Sequence, residues 1–201
     1  MKHTVFAVVF LLLSLFGFTQ KVMLALQAQN TLPDMVQVGN EINHGIVWPE
    51  GSIQHPDSLA ALLYAGIRGV KAVAPKTPIM LHVALGGQYE EADAFYTKMQ
   101  NRNVPFDVIG LSYYPKWHGT LADLRFTTNY LAKKFNKDVV VVEYSQLKKE
   151  VNNIAFNVAN GRGKGTFIWE PLSTWEKVFD ENGKANDLIN VYDEISKQYV
   201  K

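Results

Sequence analysis

Val139-Val-Val-Val142 is apolar at every position and runs directly into Glu143-Tyr144. A strand with one face in water alternates apolar with polar. A strand buried on both faces does not, and such strands belong to parallel sheets covered by helices. Outward from this stretch the chain repeats one unit, a short apolar strand followed by an amphipathic helix. Upstream lie expected strands at Met35–Val38, Ile79–Val83 and Asp107–Leu111, and downstream one at Thr166–Trp169. Helical spacing marks Asp57–Val73, with Leu59, Leu62, Leu63, Ile67 and Val70 on one face, and Glu90–Arg102, with Ala92, Phe95, Tyr96 and Met99. Further helices are expected over Leu121–Phe135, Leu147–Ala159 and Asp187–Tyr199.

Five βα units fit either a doubly wound sheet or part of a (β/α)8 barrel. A doubly wound nucleotide-binding sheet calls for a glycine-rich turn after its first strand. Val38-Gly-Asn-Glu-Ile42 has one glycine, and an acid where a phosphate would sit. A barrel keeps its working side chains at the C-terminal ends of strands, and that is where this chain keeps its unusual residues.

Composition removes other classes. Twenty basic against nineteen acidic residues leave a net charge of +1, so no basic excess exists to bind nucleic acid. With 47% apolar residues the chain can bury a core, and with no cysteine it forms neither disulfides nor thiolate metal sites. No paired histidine motif supports a transition metal. Asp180-Glu-Asn-Gly183 lacks the rest of an EF-hand loop and reads as a turn. The first residues stand apart: Met1-Lys2-His3 is basic, and Thr4 to Phe18 is an apolar run broken only by Ser14 and Gly17. That run is short for a membrane span and suits a signal peptide over residues 1–19, cleaved before Gln20. A buried helix continuing through Lys21–Gln27 is the other reading. The expected division is a signal-like segment, 1–19, and a partial barrel domain, 20–201. Location is then secreted or periplasmic, or membrane-anchored without cleavage.

Glu41 and Glu143 both end strands, and two carboxylates at one end of a parallel sheet can serve a single glycosidic bond as acid/base and nucleophile. Asn40 adds an amide for a sugar hydroxyl. Trp48, Tyr113, Tyr114, Trp117, His118 and Trp169 cluster at strand ends, and rings of this kind stack on the apolar faces of sugars. His82 lies inside Leu81-His-Val83; a lone strand histidine is by type a hydrogen-bonded core residue, and it completes the candidate sugar-facing set.

Val36-Gln-Val-Gly-Asn-Glu-Ile-Asn-His-Gly-Ile-Val-Trp-Pro-Glu-Gly51 resembles the family 53 glycoside hydrolases, the arabinogalactan endo-β-1,4-galactanases. Phe106–Leu121, Val139–Tyr144 and Asn160–Pro171 resemble, in order, that family's sixth strand and loop, its seventh strand, and its approach to the eighth. The resemblance implies a (β/α)8 barrel of which this chain carries strands four to eight. It implies Glu41 as acid/base, Glu143 as nucleophile, retention of configuration, and the β-1,4-galactan of pectic side chains as substrate. Tyr114, Trp117, His118 and Trp169 map to the sugar site. Some relatives hold calcium in a long loop after the nucleophile. Here Tyr144-Ser-Gln-Leu147 runs straight into a helix, so no cofactor is expected. Counterparts of strands one to three are missing, which implies open strand edges and a partner that closes them, a second copy or another chain. The alternatives are an inactive galactanase remnant and a membrane-tethered carbohydrate-binding protein.

Overall fold

The computed structural model describes residues 16–172 and 176–199. Most of the signal-like run lies outside these residues. Its end does not: residues 16–28 form one helix, α1, which passes through the expected cleavage point at Gln20. Gly69 is where α1 meets the next helix, since a Cβ there would lie 2.8 Å from the Thr19 Cβ and 2.9 Å from the Phe16 carbonyl oxygen. Among the described residues no helix is long and apolar enough to cross a membrane.

The elements follow the expected order: β1 (Val36–Gln37), α2 (Pro56–Lys71), β2 (Ile79–Val83), α3 (Tyr89–Gln100), β3 (Val108–Tyr113), α4 (Leu121–Phe135), β4 (Asp138–Tyr144), α5 (Lys148–Phe156), β5 (Gly163–Ile168) and α6 (Asn190–Tyr199). The described residues form two compact units, one made of the chain up to His82 with Ala94–Val108, the other of Val83–Asp93 with the chain from Ile109 onward.

In the first unit β1 pairs in parallel with β2, Val36 opposite Ile79 and Gln37 opposite Met80. Helix α2 starts at Pro56, whose fixed φ and missing N–H suit a first turn. It buries Leu59, Leu62, Leu63, Ile67 and Val70, each burial worth about 1.5–3 kcal/mol before entropy is counted. Every residue of β2 up to His82 is buried. Its start is fixed by the Asp107 carboxylate, which accepts from Ile79 N at 2.9 Å. Further along, Leu81 O accepts from the Tyr96 hydroxyl at 2.9 Å.

In the second unit the strand order is β3-β4-β5. Strand β4 is buried from Val139 to Tyr144, as the unbroken valine run requires. It pairs in parallel with β5 through Val139–Gly163, Val141–Thr166 and Tyr144–Ile168, with irregular register between these points. Strand β5 is only partly buried, and Phe167 is left 57% exposed. It begins at Gly163, earlier than the sequence pattern suggests, because that glycine lies flush against α5: a Cβ would fall 1.7 Å from the Ala155 carbonyl oxygen. Tyr113, Leu124, Val141, Tyr144, Val151, Ile154 and Ala155 form the core between strands and helices. Helix α4 opens with a capping box, Thr120 Oγ1 accepting from Asp123 N while Asp123 Oδ2 accepts from Thr120 N at 2.8 Å. Asp180-Glu-Asn-Gly183 is a turn, its Asp180 carboxylate accepting from Asn182 N and Lys184 N, each at 2.9 Å.

Candidate functional site

In the first unit the chain leaves β1 through Gly39, whose φ of 88° is open to glycine, and reaches Glu41 at φ 47°, ψ 50°. A glutamate in this left-handed region is uncommon and costs about 1–3 kcal/mol. The turn re-aims residue 41 away from the strand line, and His82 holds it there. Asn40 Oδ1 lies 3.1 Å from His82 Nδ1 and also accepts from Gln37 Nε2 at 3.0 Å, while Glu41 N approaches the same ring nitrogen at 3.4 Å. His82 is fully buried, and burial pushes its pKa down from 6.5 to about 4, so the imidazole is neutral at pH 7. His82 is thus both the core histidine its strand position suggests and the direct neighbour of Asn40 and Glu41. Trp48 lies on the loop beyond, 61% exposed, within a segment closed by the Gly45–Ser52 bridge.

In the second unit Glu143 lies one residue before the end of β4 and is buried, 8% exposed. The Tyr114 hydroxyl, itself in a buried side chain, donates to Glu143 Oε2 at 3.1 Å. A phenol donated to a buried carboxylate fixes its rotamer. Tyr114 is braced in turn: its backbone N–H donates to His118 Nδ1 at 3.1 Å, and its ring meets Trp117 edge-on at 6.0 Å. That bond leaves the neutral imidazole proton of His118 on Nε2. Gln88 Nε2 donates to Trp117 O at 2.7 Å and anchors the loop. Trp117 and Trp169 keep 51% and 43% of their surface exposed, so each presents a ring to solvent. Tyr113 is placed apart from this group. Successive strand residues face opposite sides, and Tyr113 points into the helix-packed core, 1% exposed, with its hydroxyl on Gly119 O at 3.1 Å.

The connection from β4 to α5 is short, Ser145, Gln146 and Leu147, and Leu147 turns the chain at φ 56°. Buried Lys148 closes it, donating to Ser145 O at 2.7 Å and to Glu176 O and Oε2 at 2.7 and 3.0 Å. Behind the strand end, Tyr144 gathers a second network. Its hydroxyl lies 2.9 Å from Tyr192 OH and accepts from Asn152 Nδ2 at 2.9 Å, while Asn152 Oδ1 accepts from Thr166 Oγ1 at 2.9 Å. Sequence reading did not find Gln37, Gln88, Lys148 or Asn152 as supports. Each works through a contact with no local motif.

The family model described as Glycosyl hydrolase family 53 matches residues 11–159. A protein encoded in the bgaB 5′ region of Niallia circulans is 34% identical over 77% of this chain and 54% of its own length. An arabinogalactan endo-β-1,4-galactanase of Thermothelomyces thermophilus is 28% identical over 90% of this chain and 68% of its own. Among solved structures, the GH53 catalytic domain of Ignisphaera aggregans superposes with a TM-score of 0.85, at 26% identity, over 92% of this chain and 65% of that one. The chain therefore spans between about half and two-thirds of the length of these relatives. Its architecture is that of an incomplete (β/α)8 barrel, five consecutive βα units.

Proposed function

Because the chain belongs to glycosyl hydrolase family 53, we propose that it provides the catalytic strand ends of an endo-acting β-1,4-galactanase, with Glu41 as acid/base and Glu143 as nucleophile. The observation that carries this reading is the state of Glu143, a buried carboxylate at a strand terminus, held by the Tyr114 hydroxyl at 3.1 Å. In the first step a Glu143 oxygen attacks the anomeric carbon and the glycosidic C–O bond breaks. The Glu41 proton goes to the departing oxygen, leaving a galactosyl ester on Glu143. In the second step Glu41 takes a proton from water, whose oxygen attacks the same carbon and releases Glu143. Two displacements return the original configuration, and this route requires carboxylates about 5–5.5 Å apart. His82 supports Glu41 through its contacts with Asn40 Oδ1 and Glu41 N. Exposed Trp48, Trp117 and Trp169 offer faces on which galactose rings stack. No metal or organic cofactor takes part. A polysaccharide substrate is met outside the cell, in keeping with export through residues 1–19.

Reducing-end release from β-1,4-galactan by the purified chain, beside Glu41→Gln and Glu143→Gln, tests the reading. Each variant is expected to lose about 100-fold or more in rate, with the parent's first product in the β configuration by proton NMR. An unaltered rate in Glu143→Gln would refute the assignment. The exposed tryptophans also favour a second reading, carbohydrate binding without turnover, in which galactan is retained by parent and Glu143→Gln alike and no reducing ends appear.

A further inference from the structure

Beside Glu143 the second unit holds a cavity of about 300 Å³ lined by Tyr114, Lys116, Trp117 and Gln146. We infer that it accepts a sugar unit bearing a carboxylate, a uronate within or at the end of the galactan-type chain. This rests on the hydrolytic reading above and assigns that site a charged substrate class. A volume of this size lies at the bottom of the range for small-molecule sites, suited to a single pyranose ring. Its wall residue Tyr114 is the side chain that bonds Glu143, so a ring lodged here belongs to the chain being cut.

The lining has the three parts such a ring needs. Trp117, half exposed, offers an indole face to the apolar C–H side of the sugar. Gln146 offers an amide that both donates and accepts, matching ring hydroxyls. It sits in a connection that cannot drift, between the buried end of β4 and Lys148, whose ammonium is tied to Ser145 O at 2.7 Å. The third part is what a neutral galactose does not call for. The Lys116 ammonium stands 5.0 Å from the Trp117 ring centroid, and among the described residues it forms no ion pair with a carboxylate. A cation–π contact at an exposed site holds the lysine over the ring without neutralising it. The pocket therefore carries one uncompensated positive charge at the rim of a stacking platform, and a carboxylate on the bound ring complements it.

The test uses titration calorimetry on the full chain with three probes: a β-1,4-galacto-oligosaccharide, the same oligosaccharide carrying one galacturonate unit, and inorganic phosphate. The parent is expected to bind the uronate-bearing probe about tenfold more tightly than the neutral one, the contribution of one charge-assisted hydrogen bond. Lys116→Met is expected to bring the ratio of the two affinities to about one, and 0.5 M salt should erode the preference in the parent. Equal affinities in the parent, or a preference that survives in Lys116→Met, would overturn the inference. Phosphate displacing the acidic probe at comparable concentration would also overturn it, by showing a simple anion site. Reducing-end release is measured on the same samples. A uronate preference without turnover supports the pocket and removes the hydrolytic reading, so the two fail separately.

Discussion

Lowering the pH from 7.5 to 5 should cost the fold about 2 kcal/mol through His82 alone. The ring is fully buried in β2, and its pKa falls from 6.5 to about 4 because burial disfavours the imidazolium. In the unfolded chain the same ring takes a proton freely near pH 6.5. A pKa depressed by folding contributes stability that is present above the unfolded value and is lost as pH falls toward the folded one. Below pH 6.5 the unfolded state therefore binds more protons, and stability drops by nearly 1.4 kcal/mol per pH unit from this group, approaching about 3 kcal/mol at pH 4. For a chain of this size the loss at pH 5 corresponds to roughly 4–8 °C in melting temperature. Urea unfolding followed by circular dichroism, at pH 7.5, 6 and 5, measures it in the parent and in His82→Gln. Both proteins lose whatever their carboxylates contribute, so the difference between the two pH slopes isolates His82. The variant should be less stable at pH 7.5 and lose less on acidification. Parallel slopes would refute the reasoning. A steeper loss in the variant would reverse its sign, making the imidazolium a favoured species in the fold.

Other expectations follow from named contacts. Burial, and then the bond with Tyr144, raise the Tyr192 pKa above 10, so its contribution is fully present below pH 10 and is lost as pH rises beyond it. Tyr192→Phe should flatten the decline in urea midpoint between pH 9 and 11. Thr120→Ala removes the acceptor for Asp123 N and one side of the capping box, and should lower the melting temperature by roughly 2–4 °C, read by thermal circular dichroism. Tyr114→Phe keeps the ring and removes the donor to Glu143 Oε2. A fall of about 10- to 100-fold in kcat with little change in KM is expected, and an unchanged kcat would discount that bond.

What the sequence disclosed was mostly local. The run Val139–Val142 announced a strand buried on both faces, and the helix expected over Leu121–Phe135 has those bounds. Strand ends were harder. Gly163 and Lys164 carry no strand signal, yet the first is required by the carbonyl of Ala155 and the second follows it into β5. The apolar run before residue 20 reads alike as an exported leader and as a packed helix, because both are written in the same residues; its described part lies against Gly69. At the site, types and strand-end positions marked Glu41, Glu143 and the aromatics. Partnerships did not show, since Asn40 meets His82 and Tyr114 meets Glu143 across long stretches of chain. Tyr113 was separable in principle, because neighbours in a strand face opposite ways and only one of Tyr113 and Tyr114 can reach Glu143.

The left-handed backbone at Glu41 sets stability and chemistry against each other at one position. Glycine would occupy that turn without the steric cost, so Glu41→Gly should relax it, although the more flexible unfolded chain offsets part of the gain. A library selected only for heat resistance will drift toward glycine there and discard the carboxylate. Variants bred for durability should therefore be sorted on turnover from the first round.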